Sequence, residues 1–263
     1  MKNLQEIIEE QLGQLKKHCP AVKKDGHCSR SGSCICSAVA EVNGYCSKIL
    51  PSGFDSADLG KLNGYANGCK VLSDQVVRRV MSKIGDYCFG EEISDSIPNR
   101  TRLNQISKMD MRFDEGHNLV IHGSAGNNNG SGSGKVPLGK TLIASIVMRE
   151  AIWRRMFSSN KAFSYMFTSA EMLMDSVFSS KKVKEIPPSR TVDWLCIDDI
   201  YSGRMHLSHV LDETISYRMS VKLPTILVLQ FDATQNISIE NDIGHFAAKM
   251  IRHSSSNFVI SIP

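Results

Sequence analysis

From residue 118 onward, short continuous apolar runs alternate with longer stretches in which apolar residues recur at helical spacing. The runs NLVIHG at 118–123, AFSYMF at 162–167, DWLCID at 193–198, PTILVLQ at 224–230 and NFVISI at 257–262 predict five strands. Between them, 140–157, 169–179, 207–220 and 243–252 predict helices. Strands that are apolar on both faces and separated by helices imply an α/β fold, with a parallel five-stranded sheet covered on two sides. In such folds ligands sit at the carboxyl ends of the strands, so residues there are the ones to inspect for chemistry.

Upstream the pattern is less regular. Leu4, Ile7, Ile8, Leu12 and Leu15 predict a short amphipathic helix over 3–17. A second helix is predicted over 69–90, with Val71, Leu72, Val76, Val77, Val80, Met81 and Ile84 on its buried side, and 91–116 is polar and interrupted by proline. Between these, 18–46 holds five of the eight cysteines among Gly, Ser and Lys, with too few large apolar residues for a core of its own. ILPSGFDSADL at 49–59 reads as a linker, which divides the chain into a small cysteine-rich module at 1–50 and a larger domain at 51–263. No internal repeat is present.

Composition narrows the class of protein. Apolar residues make up 41% and charged residues 22%, which fits a globular chain and not a disordered one. The net charge of +4 is compatible with nucleic acid but equally with an ordinary surface. No apolar run reaches the roughly 20 residues that cross a bilayer, and the N-terminus mixes acidic and basic residues, so no membrane partner and a cytoplasmic location are expected. Thiols there stay reduced, leaving metal binding or burial to explain the cysteines.

The strongest chemical pattern is GKVPLGKT at 134–141, a G-x-x-x-x-G-K-[ST] loop leading into a helix. Backbone amides at a helix N-terminus cradle phosphate oxygens, the ammonium of Lys140 meets the outer phosphates, and the Thr141 hydroxyl can ligate Mg2+. Leu142 follows directly and is counted with the nucleotide-contacting residues. The loop is long, because GSAG at 123–126 already resembles the front half of such a loop. The cradle therefore opens either at Gly134 or at Gly123 and Gly126, and both registers share Gly139, Lys140 and Thr141. The second element is WLCIDD at 194–199, two aspartates ending an apolar strand. Asp198 is the candidate for the Mg2+ shell and Asp199 for the catalytic acid that polarises the attacking water. A bland alternative is that the pair merely ends a strand. With the two motifs in this order, ATP is the expected ligand.

Over about 50–262 the sequence resembles the DnaC-type branch of AAA+ ATPases, which includes IstB-type transposase helpers. The resemblance rests on ILPSGFDSADL at 49–59, the strand and GKT helix, FTSAEMLMDSV at 167–177, LCIDDI at 195–200, ISYRMSVKLPTIL at 215–227 and GHFAAKMIRHSS at 244–255. It implies a RecA-like AAA+ core without a C-terminal helical lid, assembling head to tail into a ring or spiral homo-oligomer. It also implies that Arg252 reaches a neighbour's site as a catalytic cation and that Arg218 serves the nucleotide. The family carries a polar sensor at the end of the fourth strand, where this chain offers Gln230 or Asp232.

The cysteine-rich segment supplies Cys19, Cys28, Cys34 and Cys36 as preferred Zn2+ ligands, with Cys46, His18 or His27 as alternatives. An iron–sulfur cluster or reduced thiols stay open. Cys69, Cys88 and Cys196 read as buried small apolar residues. By resemblance, residues 1–50 grip a replicative hexameric helicase and the core touches single-stranded DNA, giving an ATP-dependent helicase loader with ATP hydrolysis. The competing functions are a transposition regulator on duplex DNA and a nucleotide-gated adaptor with little hydrolysis.

Overall fold

In the computed structural model, residues 35–54, 116–123, 139–158, 163–204, 206–234, 239–252 and 257–262 are described. The helices expected over 3–17 and 69–90 lie outside them. The first described element is helix α1, Ile35–Ile49. The P-loop strand β1, Asn118–His122, then precedes helix α2, Lys140–Ser158. Next come β2, Tyr165–Ser169, helix α3, Ala170–Val183, the single turn α4, Pro188–Thr191, and the acidic strand β3, Trp194–Ile200. The chain continues through α5, Leu207–Ser220, β4, Thr225–Leu229, α6, Ile239–Ile243, α7, His245–Arg252, and β5, Asn257–Ser261.

The five strands form one sheet in the order β2-β3-β4-β1-β5, and every neighbouring pair is parallel. All five residues of β1 and all five of β4 are buried, as expected of central strands with helices on both faces. One face carries Val120, Leu195, Ile197, Leu227 and Leu229, packed with Leu173 and Val177 of α3, Leu211 and Ile215 of α5, and Ala247 and Met250 of α7. On α2, Ile143, Ala144, Val147, Met148, Ala151 and Ile152 are fully enclosed, so over 140–152 this helix is buried nearly all round.

The reason is α1. Val42, Cys46 and Leu50 are buried, Arg149 of α2 donates to Asn43 Oδ1 at 3.2 Å, and the Tyr45 ring meets Tyr165 edge-on at 5.9 Å. Residues 42–50, grouped by sequence with the module at 1–50, thus pack against α2 and β2. The tyrosines at 45 and 165 and the apolar spacing of Val42 and Cys46 carry this contact, whereas cysteine content had grouped the segment with the residues before it.

The helix expected over 243–252 is α7, which starts at His245; Gly244, whose φ is +88°, parts it from the short α6. The Asp212 carboxylate of α5 accepts the Phe246 N–H at 2.9 Å and so caps α7 from across the fold. A Cβ at Gly244 would press on Asp212 Cγ and on Ser208 O, each at 2.6 Å. Gly244→Ala is expected to destabilise the protein by about 2–3 kcal/mol through backbone strain and the displaced cap, read as a lower urea midpoint at unchanged slope.

Candidate functional site

Because β4 lies between β1 and β3, the strand order draws the carboxyl ends of the P-loop strand and the acidic strand to either side of Gln230. Lys140 and Thr141 begin α2, immediately after Gly139, whose φ is +70°. The Thr141 hydroxyl donates to Asp198 Oδ2 at 2.8 Å, and Lys140 Nζ donates to the Gly123 carbonyl at 2.7 Å. The two halves of the site, 57 residues apart in the chain, are joined by that single hydroxyl–carboxylate bond.

A one-residue bulge shapes the acidic side. Ile197 pairs with Leu227 and Ile200 with Leu229, so β3 advances three residues while β4 advances two. Strict alternation would aim Asp199 at the apolar face that Ile197 lines. Instead Asp199 takes a left-handed φ of +56° and turns out to solvent, and Ile200 drops into the core in its place. Asp198 stays buried, facing α2, and accepts the Asp199 N–H on Oδ1 at 2.7 Å. Gln230 Nε2 donates to Asp199 Oδ1 at 3.2 Å, which brings the expected polar sensor onto the expected catalytic acid.

Burial shifts the charges of the site. Burial pulls the Lys140 ammonium down to about 8, against the opposing pull of Asp198 and Asp199. Burial pushes the Asp198 carboxyl above the usual range, although the Thr141 hydroxyl and the Asp199 N–H favour its ionised form. A buried cation leaning on a carbonyl, next to a hydroxyl and a carboxylate, is a polar pocket suited to an anion and a hard cation. Thr141 and Asp198 are oxygen donors of the kind Mg2+ takes, so the residues fit that ion.

Gly123 has its own constraint. Its N–H donates to Phe231 O at 3.1 Å, and a Cβ would collide with the Ile262 carbonyl, so only glycine fits where β1 leaves the sheet. Gly126 and Gly134 lie outside the described residues, which leaves both registers of the loop open. Leu142 is buried in the second position after Lys140.

Arg218 requires a correction. It is fully buried, and its guanidinium donates to Thr225 Oγ1 at 2.9 Å and to the carbonyls of Ser189, Val192, Asp193 and Pro224 at 3.1, 2.7, 3.4 and 2.6 Å. These groups lie at the amino ends of β3 and β4, opposite the end that holds Lys140 and Asp198. Arg218 therefore ties the fold together and does not contact the nucleotide site. Arg252 is exposed at the end of α7 and pairs with Glu240, away from the residues gathered around Lys140.

Of the thiols, Cys19, Cys28 and Cys34 lie outside the described residues, and Cys36 falls in α1. Cys46, the alternative ligand, is buried on the inner side of α1. Among the described residues, no group of His, Cys, Asp and Glu is arranged to hold a metal ion. Cys196 is buried in β3, as its apolar context predicts. Among the described residues, no helix is long and apolar enough to cross a membrane.

His122 was not singled out in the sequence. It ends β1, is fully buried, and accepts the Ala233 N–H on Nδ1 at 3.3 Å. A lone histidine in an apolar strand gives no signal of its own; only its place one residue before Gly123 marks it.

No protein-family model matches the chain, and no curated protein matches it. Among solved structures it is similar to the crystal structure of the DnaC helicase loader, with 15% identity over 69% of this chain and 99% of that one, at a TM-score of 0.44. The crystal structure of DnaI is similar at 18% identity over 69% of this chain and 90% of that one, with a TM-score of 0.40. AMPPCP-bound DnaA from Aquifex aeolicus shares 16% identity over 67% of this chain and 49% of that one, with a TM-score of 0.39. By its own strand order, the described core is an α/β fold built on one five-stranded parallel sheet, with Lys140, Thr141 and Asp198 gathered at the carboxyl ends of its strands.

Proposed function

We propose that the protein is an ATP-hydrolysing loader that places a replicative hexameric helicase on single-stranded DNA. The observation that carries the nucleotide half of this reading is the Thr141–Asp198 hydrogen bond beside the buried Lys140 ammonium. The loader half is supported by the six sequence stations between residues 49 and 255 that resemble the DnaC-type branch.

In the proposed reaction, Lys140 leaves the Gly123 carbonyl for the β and γ phosphates and offsets their charge. Thr141 and Asp198 would hold Mg2+, which neutralises charge on the departing phosphate. Asp199, turned outward by the bulge and steadied by Gln230, orients the attacking water. Arg252 is free of its own chain's phosphate site, and a neighbouring copy would receive it, so hydrolysis is expected only in the assembly.

The test is purification of the tagged protein from its host, followed by ATPase assays with the recovered partner and single-stranded DNA. Recovery of a replicative helicase whose DNA loading requires ATP supports the reading. A transposase, or duplex DNA alone, would replace it with a transposition regulator. Arg252→Ala is expected to leave nucleotide affinity of the monomer unchanged and to lower hydrolysis in the assembly at least tenfold, checked by titration and turnover assays side by side.

A further inference from the structure

We propose that His122 is a proton-linked positioning residue that couples occupancy of the phosphate site to the turn following β4. This rests on the nucleotide reading above and adds a linkage that the P-loop motif does not contain. Its basis is the surroundings of one buried ring.

His122 Nδ1 lies 3.3 Å from a donor, the Ala233 N–H, and 3.4 Å from an acceptor, Asp232 Oδ1. The two contacts demand opposite states of the same nitrogen. With Nδ1 unprotonated it accepts from Ala233, and the proton of the neutral ring sits on Nε2, which is buried and has no hydrogen-bond partner. With Nδ1 protonated it donates to Asp232 and must release Ala233. Asp232 in turn accepts the Thr234 N–H at 2.9 Å and the Thr234 hydroxyl at 2.7 Å, so a change at the ring is passed to the turn at 232–234.

The ring is also wired to the phosphate site. Its own carbonyl accepts the Ile262 N–H, and the next residue, Gly123, donates to Phe231 O and accepts the Lys140 ammonium. Among the described residues, the charged groups acting on it are Asp232, in the turn after β4, and Lys140 from α2. Across the sheet β5 presents Ser261, and α7 packs inward through Ala247, Ala248 and Met250, none of which titrates. Burial holds the imidazole below its ordinary range, Asp232 opposes this, and Lys140 reinforces it. Phosphates that neutralise Lys140 remove part of the reason for His122 to stay neutral. Nucleotide binding therefore favours uptake of one proton from water onto Nδ1, and by reciprocity a lower pH favours binding.

The experiment follows the imidazole nitrogen resonances of the wild-type protein, labelled at histidine, between pH 5 and 8, with and without AMPPNP. The His122 signals are assigned by their loss in His122→Asn. The expected result is a His122 titration midpoint that rises when AMPPNP is bound. AMPPNP affinity is measured in parallel for wild type and His122→Asn, whose side-chain oxygen can still accept from Ala233 but cannot be protonated. The ligand's own titration is common to the two proteins. The ratio of their affinities is expected to change roughly threefold to tenfold in favour of wild type as pH falls from 8 to 5. AMPPNP binding with an unmoved midpoint and a constant ratio overturns the linkage and leaves the nucleotide reading standing. No AMPPNP binding at any pH overturns both.

Discussion

Replacing Arg218 with leucine is expected to remove about 3–5 kcal/mol of stability, enough to leave much of the protein unfolded or insoluble at growth temperature. Five acceptors surround the guanidinium, four of them main-chain carbonyls, and leucine would leave these buried groups without that donor. Burial lowers the guanidinium to about 10, with Asp193 opposing, so it stays charged at neutral pH and its hydrogen bonds are charge-assisted. Arg218→Lys is expected to recover only part of the loss, because an ammonium offers three donors from one point and cannot span carbonyls from α4 and from the residues leading into β3 and β4. Chemical denaturation of wild type and both variants checks the order. An Arg218→Leu protein that is as stable as wild type but deficient in nucleotide binding would return the residue to the role its sequence context implied.

The second large effect separates stability from binding at one residue. Lys140→Met is expected to weaken nucleotide affinity at least about 100-fold, since the only buried ammonium described near the phosphates is lost. The same change is expected to stabilise the nucleotide-free protein by on the order of 1–2 kcal/mol. The ammonium is depressed from 10.5 to about 8 in the folded chain, which corresponds to roughly 3 kcal/mol of penalty at neutral pH, offset in part by the lost bond to Gly123. The sign with pH follows. Between 8 and 10.5 the unfolded chain binds more protons at this site, so wild type gains stability relative to Lys140→Met as pH rises through that window. Thermal unfolding at pH 7 and pH 10, with and without AMPPNP, reads all three effects.

Much of this site was legible because its motifs are short in sequence and local in geometry. A strand, a glycine, then Lys140 and Thr141 opening a helix specify where two functional groups point. A carboxylate at the end of another buried strand must face the same edge of a parallel sheet. Helix α5 begins and ends where its apolar spacing predicts, at 207 and 220. What was hidden depended on partners that carry no residue identity. Arg218 is satisfied mostly by carbonyls, which every residue possesses, so nothing in the chain marks it as buried. The bulge that turns Asp199 outward is a backbone event, visible only in the pairing of Ile200 with Leu229. Cysteine content suggested a separate unit up to residue 50, yet Val42, Tyr45 and Cys46 had already committed their helix to the core.

That commitment turns α1 into a lever arm. The P-loop helix is pressed between the sheet and α1, and the two helices share the Arg149–Asn43 bond. A helix of 15 residues is about 22 Å long, so a tilt of α2 by about 5° sweeps the far end of α1 through about 2 Å. Any displacement of α2 at Lys140 would be carried along that arm as far as Ile35.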